Sequence, residues 1–504
     1  MPRPTRSLWY DTTDVPKRES LKTNITCDVC VIGAGIAGLS VAYTLARSGT
    51  KVVVLDKEQV ASGESGRTTA HLSNAFDDRY LALERARGLD AARLAAESHT
   101  AAIDRIEQTI REEGIDCDFS RLDGYLFLGA DDTAKLLDEE LAAAHRAGLA
   151  DVTRVTTAPG FASGPALRFP RQGRLHALKY LIGLADAVER HGGKIYGSSK
   201  VENIKGGSPA TVETKSKKTV TADHVVVCTN GSISDMVVTH AKMAPYRTFV
   251  VAFSVAKGSI PDALYWDTPD PYHYVRLQPL DETRDAVIIG GADHKTAHED
   301  DAGDRFDALE FWARGYWPSL GERLTQWSGQ VLEPNDYLAY IGRNPDDAEH
   351  VWMASGDSGM GMTHGTIAGI VLPTLIAGKR HPWADLFDPK RVTVHGAELG
   401  ELAKESVDVV AQFVDYVTPG QVADAAAIPK GEGRVIRRGL HKIAAYKDDA
   451  GTVHECSAVC THLRCLVDWN TAEKSWDCPC HGSRFDAYGK VLSGPAVMDL
   501  EKLE

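Results

Sequence analysis

The sequence has no long unbroken apolar run, no excess of positive charge and few cysteines before its last fifty residues. Its longest apolar stretch, Val29 to Leu45, is interrupted by glycines, and the run from Gly365 to Gly378 is short and contains Pro373, so no membrane-spanning helix is expected. A formal net charge of -14 argues against nucleic acid or an anionic membrane as partner, because neutralising phosphate takes clustered Lys and Arg. The short basic cluster Arg434 to Lys442 reads as solvated surface. The first twenty residues are basic but have no apolar run behind them, which is not the plan of a signal peptide, and a cytoplasmic location is expected. Of nine cysteines, five lie beyond position 455, which points to local chemistry there rather than a disulfide framework. At 504 residues the chain should form about two to four domains.

What is present begins with a β-branched run, Cys27 to Ile32, that leads into Gly33-x-Gly35-x-x-Gly38 and a helical pattern to Ser48. Gly33 permits a tight turn, Gly35 lets a pyrophosphate approach the backbone, and Gly38 lets the helix pack on the strand. A second strand ends at Asp56, placed to accept hydrogen bonds from a ribose diol, with Lys57 beside it. Strand, turn, helix and acid together predict a dinucleotide site rather than a purely structural turn. The fingerprint does not separate NAD from FAD. Further along lie Ala61 to Ser73, with Ser65, Arg67, Thr68 and Thr69, and a buried strand leading to Thr229. A glycine-rich helix entry follows later, with Gly356, Gly359, Met360, Gly361 and Thr363. Cys27 and Cys30 read as packing residues, and Asp90 to Glu113 as scaffolding helix.

In this order, from about Asp28 to Arg391, these segments resemble the D-amino-acid oxidase, glycine oxidase and sarcosine oxidase superfamily of flavoproteins. The resemblance implies an α/β Rossmann-type FAD-binding domain with an antiparallel β-sheet substrate domain, together spanning 1–395. FAD binding falls at about 27–115, 171–235 and 341–395, and the substrate domain at about 116–170 and 236–340. It also implies that the residues just named, with Val201, contact FAD. No second glycine fingerprint is present, so a separate NAD(P)H site is not expected. The chain also lacks the arginines with which amino-acid oxidases of this family grip a substrate carboxylate. It reads "WSGQVLEP" at 327–334, with Glu333 before the proline, and "GDSGMG" at 356–361. A carboxylate there favours a cationic substrate, an amine or polyamine-like molecule first and an amino acid second. Arg276 is the remaining candidate for holding an anion, its alternative being a strand arginine paired to a surface carboxylate. Tyr274 in the same segment is a further catalytic candidate, and His71 is one for the flavin edge or a covalent tether, its alternative being a satisfied structural histidine.

After residue 395 the chain changes character. Glu398 to Val417 carries apolar residues at three- and four-residue spacing, an amphipathic linker helix within 396–420 that Pro419-Gly420 stops. Short strands with turn signals follow over 421–504, a small all-β module expected to dock on the first domain. Cys460-x-His462 and Cys478-x-x-His481 offer two thiolates and two imidazoles, as for structural zinc or a two-iron two-sulfur cluster. A reducible disulfide set would need no histidines, and zinc would have no use for the extra Cys465 and Cys480. "CTHLRC", "CPCHGSRFD" and "SGPA" resemble the Rieske proteins of respiratory and photosynthetic cytochrome complexes over about 425–504. The resemblance implies a two-iron two-sulfur cluster on Cys460, His462, Cys478 and His481, a Cys465–Cys480 disulfide and a hydrogen bond from Ser483 to sulfur. Phe485 stands where those proteins have a second donor, a tyrosine, so a lower cluster potential is expected than theirs.

Two cofactors in one chain imply FAD-dependent oxidation of the C–N bond of an amine, or of an amino acid. Electrons would pass from reduced FAD to the cluster singly and on to an external acceptor, a protein or a quinone. The alternatives are an oxygen-reducing amine oxidase with a structural or redox-sensing Rieske module, and a non-catalytic electron-transfer protein. A Rieske oxygenase would also need a mononuclear iron site, and no suitably spaced two-histidine, one-carboxylate set is present.

Overall fold

The computed structural model describes residues 5–161, 164–234, 239–297, 299–346, 348–392, 419–422 and 424–503. The expected linker helix Glu398 to Val417 lies outside them.

The β-branched run does become a buried central strand, Ile25–Ile32. It pairs in parallel with Val52–Leu55 on one side and Thr219–Val227 on the other, with Val31 opposite both Val54 and Val226. Parallel neighbours Lys194–Tyr196 and Val351–Ser355 extend the sheet, and Tyr340–Arg343 closes one edge antiparallel. Both faces are covered, which is why these strands are near-continuously apolar. Helix Ile36–Arg47 packs there against helices Ala177–Arg190 and Gly361–Ile376.

A second sheet runs in the order Arg323–Pro334, Met243–Ala256, Arg284–Lys295, His273–Pro279, Leu264–Asp267, Ser120–Phe127, Ala166–Arg174 and His71–Leu72. Most neighbours are antiparallel, and Leu264–Asp267 pairs in parallel with Ser120–Phe127. Strand Ala166–Arg174 extends four residues past the boundary expected at 170, because Arg174 pairs with His71 and Ser120. Helix Ala302–Tyr316 covers one face of this sheet, burying Phe306 and Leu309 against Phe249 and Phe253.

The C-terminal module is two small antiparallel sheets. One holds Glu432–Arg438, His441–Lys447 and Val453–Ser457; the other holds Asp468–Asn470, Ser475–Asp477, Arg484–Asp486 and Val491–Ser493. Tyr446, Trp469, Trp476 and Phe485 fill its core.

Candidate active site and iron–sulfur centre

A cleft of about 510 Å³ runs from the glycine turn to the second sheet, within the range of small-molecule and cofactor sites. Gly33 and Gly35 line it at the N-terminus of helix Ile36–Arg47, where amides and dipole favour phosphate. Gly33 has φ +105°, and a Cβ there would fall 2.3 Å from the Cys228 carbonyl oxygen. One on Gly38 would fall 1.9 Å from the Gly33 oxygen, so Gly38 serves helix packing and does not line the cleft. Asp56 accepts hydrogen bonds from the amides of Ala34 (2.7 Å) and Glu58 (2.9 Å), and burial raises its pKa. Lys57, Ser65, Arg67, Thr68, Thr69, Val201, Thr229, Gly356, Gly359 and Gly361 all line the same cleft. Met360 and Thr363 do not: they are buried at the start of helix Gly361–Ile376, where the Thr363 hydroxyl donates to the Met360 carbonyl. The residues present fit FAD.

Where the second sheet closes the cleft, the lining includes His71, Asp77, Tyr272, Tyr274, Asp293 and Glu333. Tyr272 donates to Asp77 (2.7 Å), and the Tyr274 hydroxyl lies 2.7 Å from that of Thr248. Burial raises the Asp77 pKa to about 6 and that of Asp293 to about 7. Glu333 is raised well above the usual carboxylate range by burial and then by Asp78, Asp293, Asp77 and Asp270. His71 is lowered to about 3 by burial and by the Arg276 charge, which keeps the ring neutral, and its Nδ1 lies 3.0 Å from the Thr69 hydroxyl.

Arg276 is a correction to the sequence reading, because it neither lines the cleft nor meets a surface carboxylate. It is fully buried, and its Nη1 donates to the carbonyls of Thr69 (2.9 Å), Ala70 (3.0 Å) and Leu175 (2.9 Å). Its guanidinium braces the segment under the cleft and has no reach to an anion. Nothing local in the sequence singles out Asp77, Tyr272 or Asp293: Asp293 lies on strand Arg284–Lys295, Asp77 and Tyr272 lie outside the strands, and only the tertiary fold gathers them.

In the C-terminal module two tight loops face each other. Cys460 and Cys478 lie side by side with their thiols in hydrogen-bond contact, and the rings of His462 and His481 stand edge to face with centroids 5.0 Å apart. The amides of His462 and Leu463 donate to the Cys460 sulfur, and those of Cys480 and His481 to the Cys478 sulfur. Nδ1 of His481 is buried with no hydrogen-bond partner. Cys465 and Cys480 form a disulfide that ties the loops together. Two adjacent thiols, two facing imidazoles and an orphaned ring nitrogen are the donor set of a Rieske cluster. Cys465, Cys478 and Cys480 also cluster, but two of these sulfurs are bonded to each other and cannot act as thiolate ligands.

The loops press on the flavin domain. His240, buried in that domain, has its ring centroid 5.2 Å from His462 and 6.1 Å from His481. Gln330 Nε2 donates to the Gly482 carbonyl (2.9 Å). Glu473, fully buried, accepts from Ser328 Oγ (2.6 Å) and pairs with Arg67 (3.0 Å), with Arg247 and Arg484 close by (3.7 and 3.8 Å). Burial alone would raise its carboxyl, but the three arginines outweigh this and hold it at about 2. Arg484, Leu492, Ser493, Gly494, Ala496 and Val497 of the small module line the same cleft as the glycine fingerprint.

A family model for FAD dependent oxidoreductases matches residues 28–372, and the chain belongs to that family. A second, for the Rieske [2Fe-2S] domain, matches 418–504. The protein is thus an FAD-dependent oxidoreductase of the amine and amino-acid oxidase type with a Rieske domain, and its cofactors are FAD and a two-iron two-sulfur cluster. Bacillus subtilis (strain 168) YhfW, named for a Rieske 2Fe-2S iron-sulfur protein, is 29% identical over 99% of this chain and 97% of its own. Gamma-glutamylputrescine oxidoreductase of Escherichia coli (strain K12) is 29% identical over 71% of this chain and 86% of its own. Glycine oxidase from Geobacillus kaustophilus shares the fold at TM-score 0.62 and 19% identity, covering 73% of this chain and 99% of that one. Among the described residues no helix is long and apolar enough to cross a membrane.

Proposed function

We propose that the chain oxidises the C–N bond of an amine and passes the electrons through its own Rieske cluster to an external acceptor. Bound at the glycine turn and along the cleft lined by Lys57, Ser65, Arg67 and Thr229, FAD would supply a two-electron acceptor for the hydride of the carbon beside the nitrogen, and the cluster would supply a one-electron carrier. Cys460, His462, Cys478 and His481 hold the cluster in this reading, with Ser483 donating to sulfur. Glu333 and its acidic neighbours draw in the cationic substrate. Tyr274 and the neutral His71 wall the pocket.

The observation that carries the electron route is the interface: the histidine edge of the cluster site lies against His240 of the flavin domain, and residues of the Rieske module line the flavin cleft. The relative that acts on gamma-glutamylputrescine supports an amine as substrate. The test is anaerobic titration of the holoprotein with a panel of amines and amino acids. The expected result is bleaching of the flavin band together with the paramagnetic signal of the reduced cluster. A flavin that bleaches while the cluster stays oxidised would defeat the electron route, and a panel that leaves the flavin unchanged would defeat the substrate class.

A further inference from the structure

We infer that the Rieske module supplies one wall of the FAD site, over the adenosine half, so that retention of FAD and docking of the module are coupled. The inference goes beyond the electron route, because it holds whether or not electrons cross the interface. Every residue of 491–497 except Pro495 lines the cleft that begins at the glycine turn.

Two segments of the flavin domain seat this stretch. On one side Gly494 meets Gly231: a Cβ on Gly231 would fall 2.9 Å from the Gly494 carbonyl carbon, and one on Gly494 would fall 3.0 Å from the Gly231 oxygen. Gly231 follows shortly after Cys228, whose carbonyl abuts Gly33 of the glycine turn. On the other side Asp499 pairs with Lys200 (3.4 Å) and Lys215 (3.1 Å). Lys200 lines the cleft, and the Ser199 amide just before it donates to the Asp56 carbonyl (2.7 Å). Asp56 is the acid that the fingerprint assigns to the ribose diol. Both anchors therefore flank the ADP end of the cleft.

Residues 491–497 carry no charged side chain, so they offer small and apolar surface rather than a counter-charge for phosphate. Leu492 is 39% exposed, and covering it with a purine would remove apolar area from water. The same stretch is built into the cluster module: strand Val491–Ser493 pairs with Arg484–Asp486, which leaves the cluster loop, and Arg484 stands opposite Ser493. The wall therefore stands only while the module is folded and docked. A ligand held between two parts stabilises their association by as much as that association tightens the ligand.

The test measures release of FAD from the holoprotein on dilution, followed by the rise in free-flavin fluorescence. Val497→Glu puts a carboxylate in the wall beside a ligand that carries a diphosphate, and it should speed release about fivefold or more relative to Val497→Gln, as for an ordinary coupling between sites. The two variants are nearly equal in size, so damage to the fold moves both and charge moves only one. Asp499→Asn keeps an acceptor for the Val491 amide (3.0 Å) but loses the charge paired with two lysines, and it should also speed release. The paramagnetic signal of the reduced cluster checks that the module is intact in each variant. In the native protein, adding FAD back after its removal should slow hydrogen exchange over 491–497 together with 33–38, and leave strand His441–Lys447 unchanged. Equal release from the two Val497 variants overturns the inference, and so does protection of the glycine turn that leaves 491–497 as it was.

Discussion

Ser483 shows how much a single side chain in the cluster loop does. Its Oγ accepts the Ala496 amide (3.0 Å), which leaves its proton for the Cys460 sulfur. A donor to sulfur stabilises the reduced, more negative cluster and raises its potential. Ser483→Ala should lower the cluster potential by on the order of tens of millivolts in a spectroelectrochemical titration, with FAD content unchanged. Phe485, two residues on, is fully buried in the module core and brings no second donor. Both residues were legible in the sequence because they occupy fixed offsets from a ligand. Asp77 and Asp293 were not, since they stand 216 positions apart (293 − 77) and nothing local marks either. Arg276 was misread for the same reason: a strand arginine looks free until three carbonyls from other segments are found around it.

At the scale of elements, the glycine turn and the paired cysteine–histidine loops are marked in the sequence by their spacing, whereas their surroundings are not. Gly482 is the case in point. It has φ +74°, and a Cβ there would lie 2.5 Å from Gln330 Nε2 and 2.9 Å from Pro245 Cβ. Its glycine is therefore required twice, by the turn between His481 and Ser483 and by the approach of the flavin domain. Gly482→Ala should cost about 1–3 kcal/mol from the backbone conformation alone and displace Gln330. The check is a lower denaturation midpoint, with faster hydrogen exchange at the 478–483 loop. The strand Ala166–Arg174 makes a related point. Its tail joins the second sheet because Arg174 pairs with strands on either side, a partnership that periodicity within the segment does not encode.

Across the whole molecule, Glu473 fastens the two modules. It is the buried carboxylate against which Arg67 and Arg247 of the flavin domain converge with Arg484 of its own module. Removing one partner from such a set leaves buried charge uncompensated, so Glu473→Gln should destabilise the protein by about 3–5 kcal/mol, measured by chemical denaturation at neutral pH. The pH dependence has a definite sign. The folded pKa of about 2 lies below the ordinary 4.5, so the stabilisation is complete above 4.5 and is lost as the pH falls from there through 2. The stability gap between the native protein and Glu473→Gln should therefore close as the pH is lowered across that window, a trend read from paired melting curves. A gap that stays constant with pH would mean that the carboxylate charge does not hold the modules together.

The sequence by itself determined the two cofactor-binding parts, because a phosphate-binding turn and a Cys₂His₂ cluster each need a few residue types at short, fixed spacing. Only the tertiary structure decided that the two parts share one cleft and one interface, that Arg276 braces the fold, and that carboxylates from separate strands and loops gather at one end of the pocket. Those outcomes depend on long-range pairing of distant segments, and burial and charge at such sites exist only once the chain has closed around them.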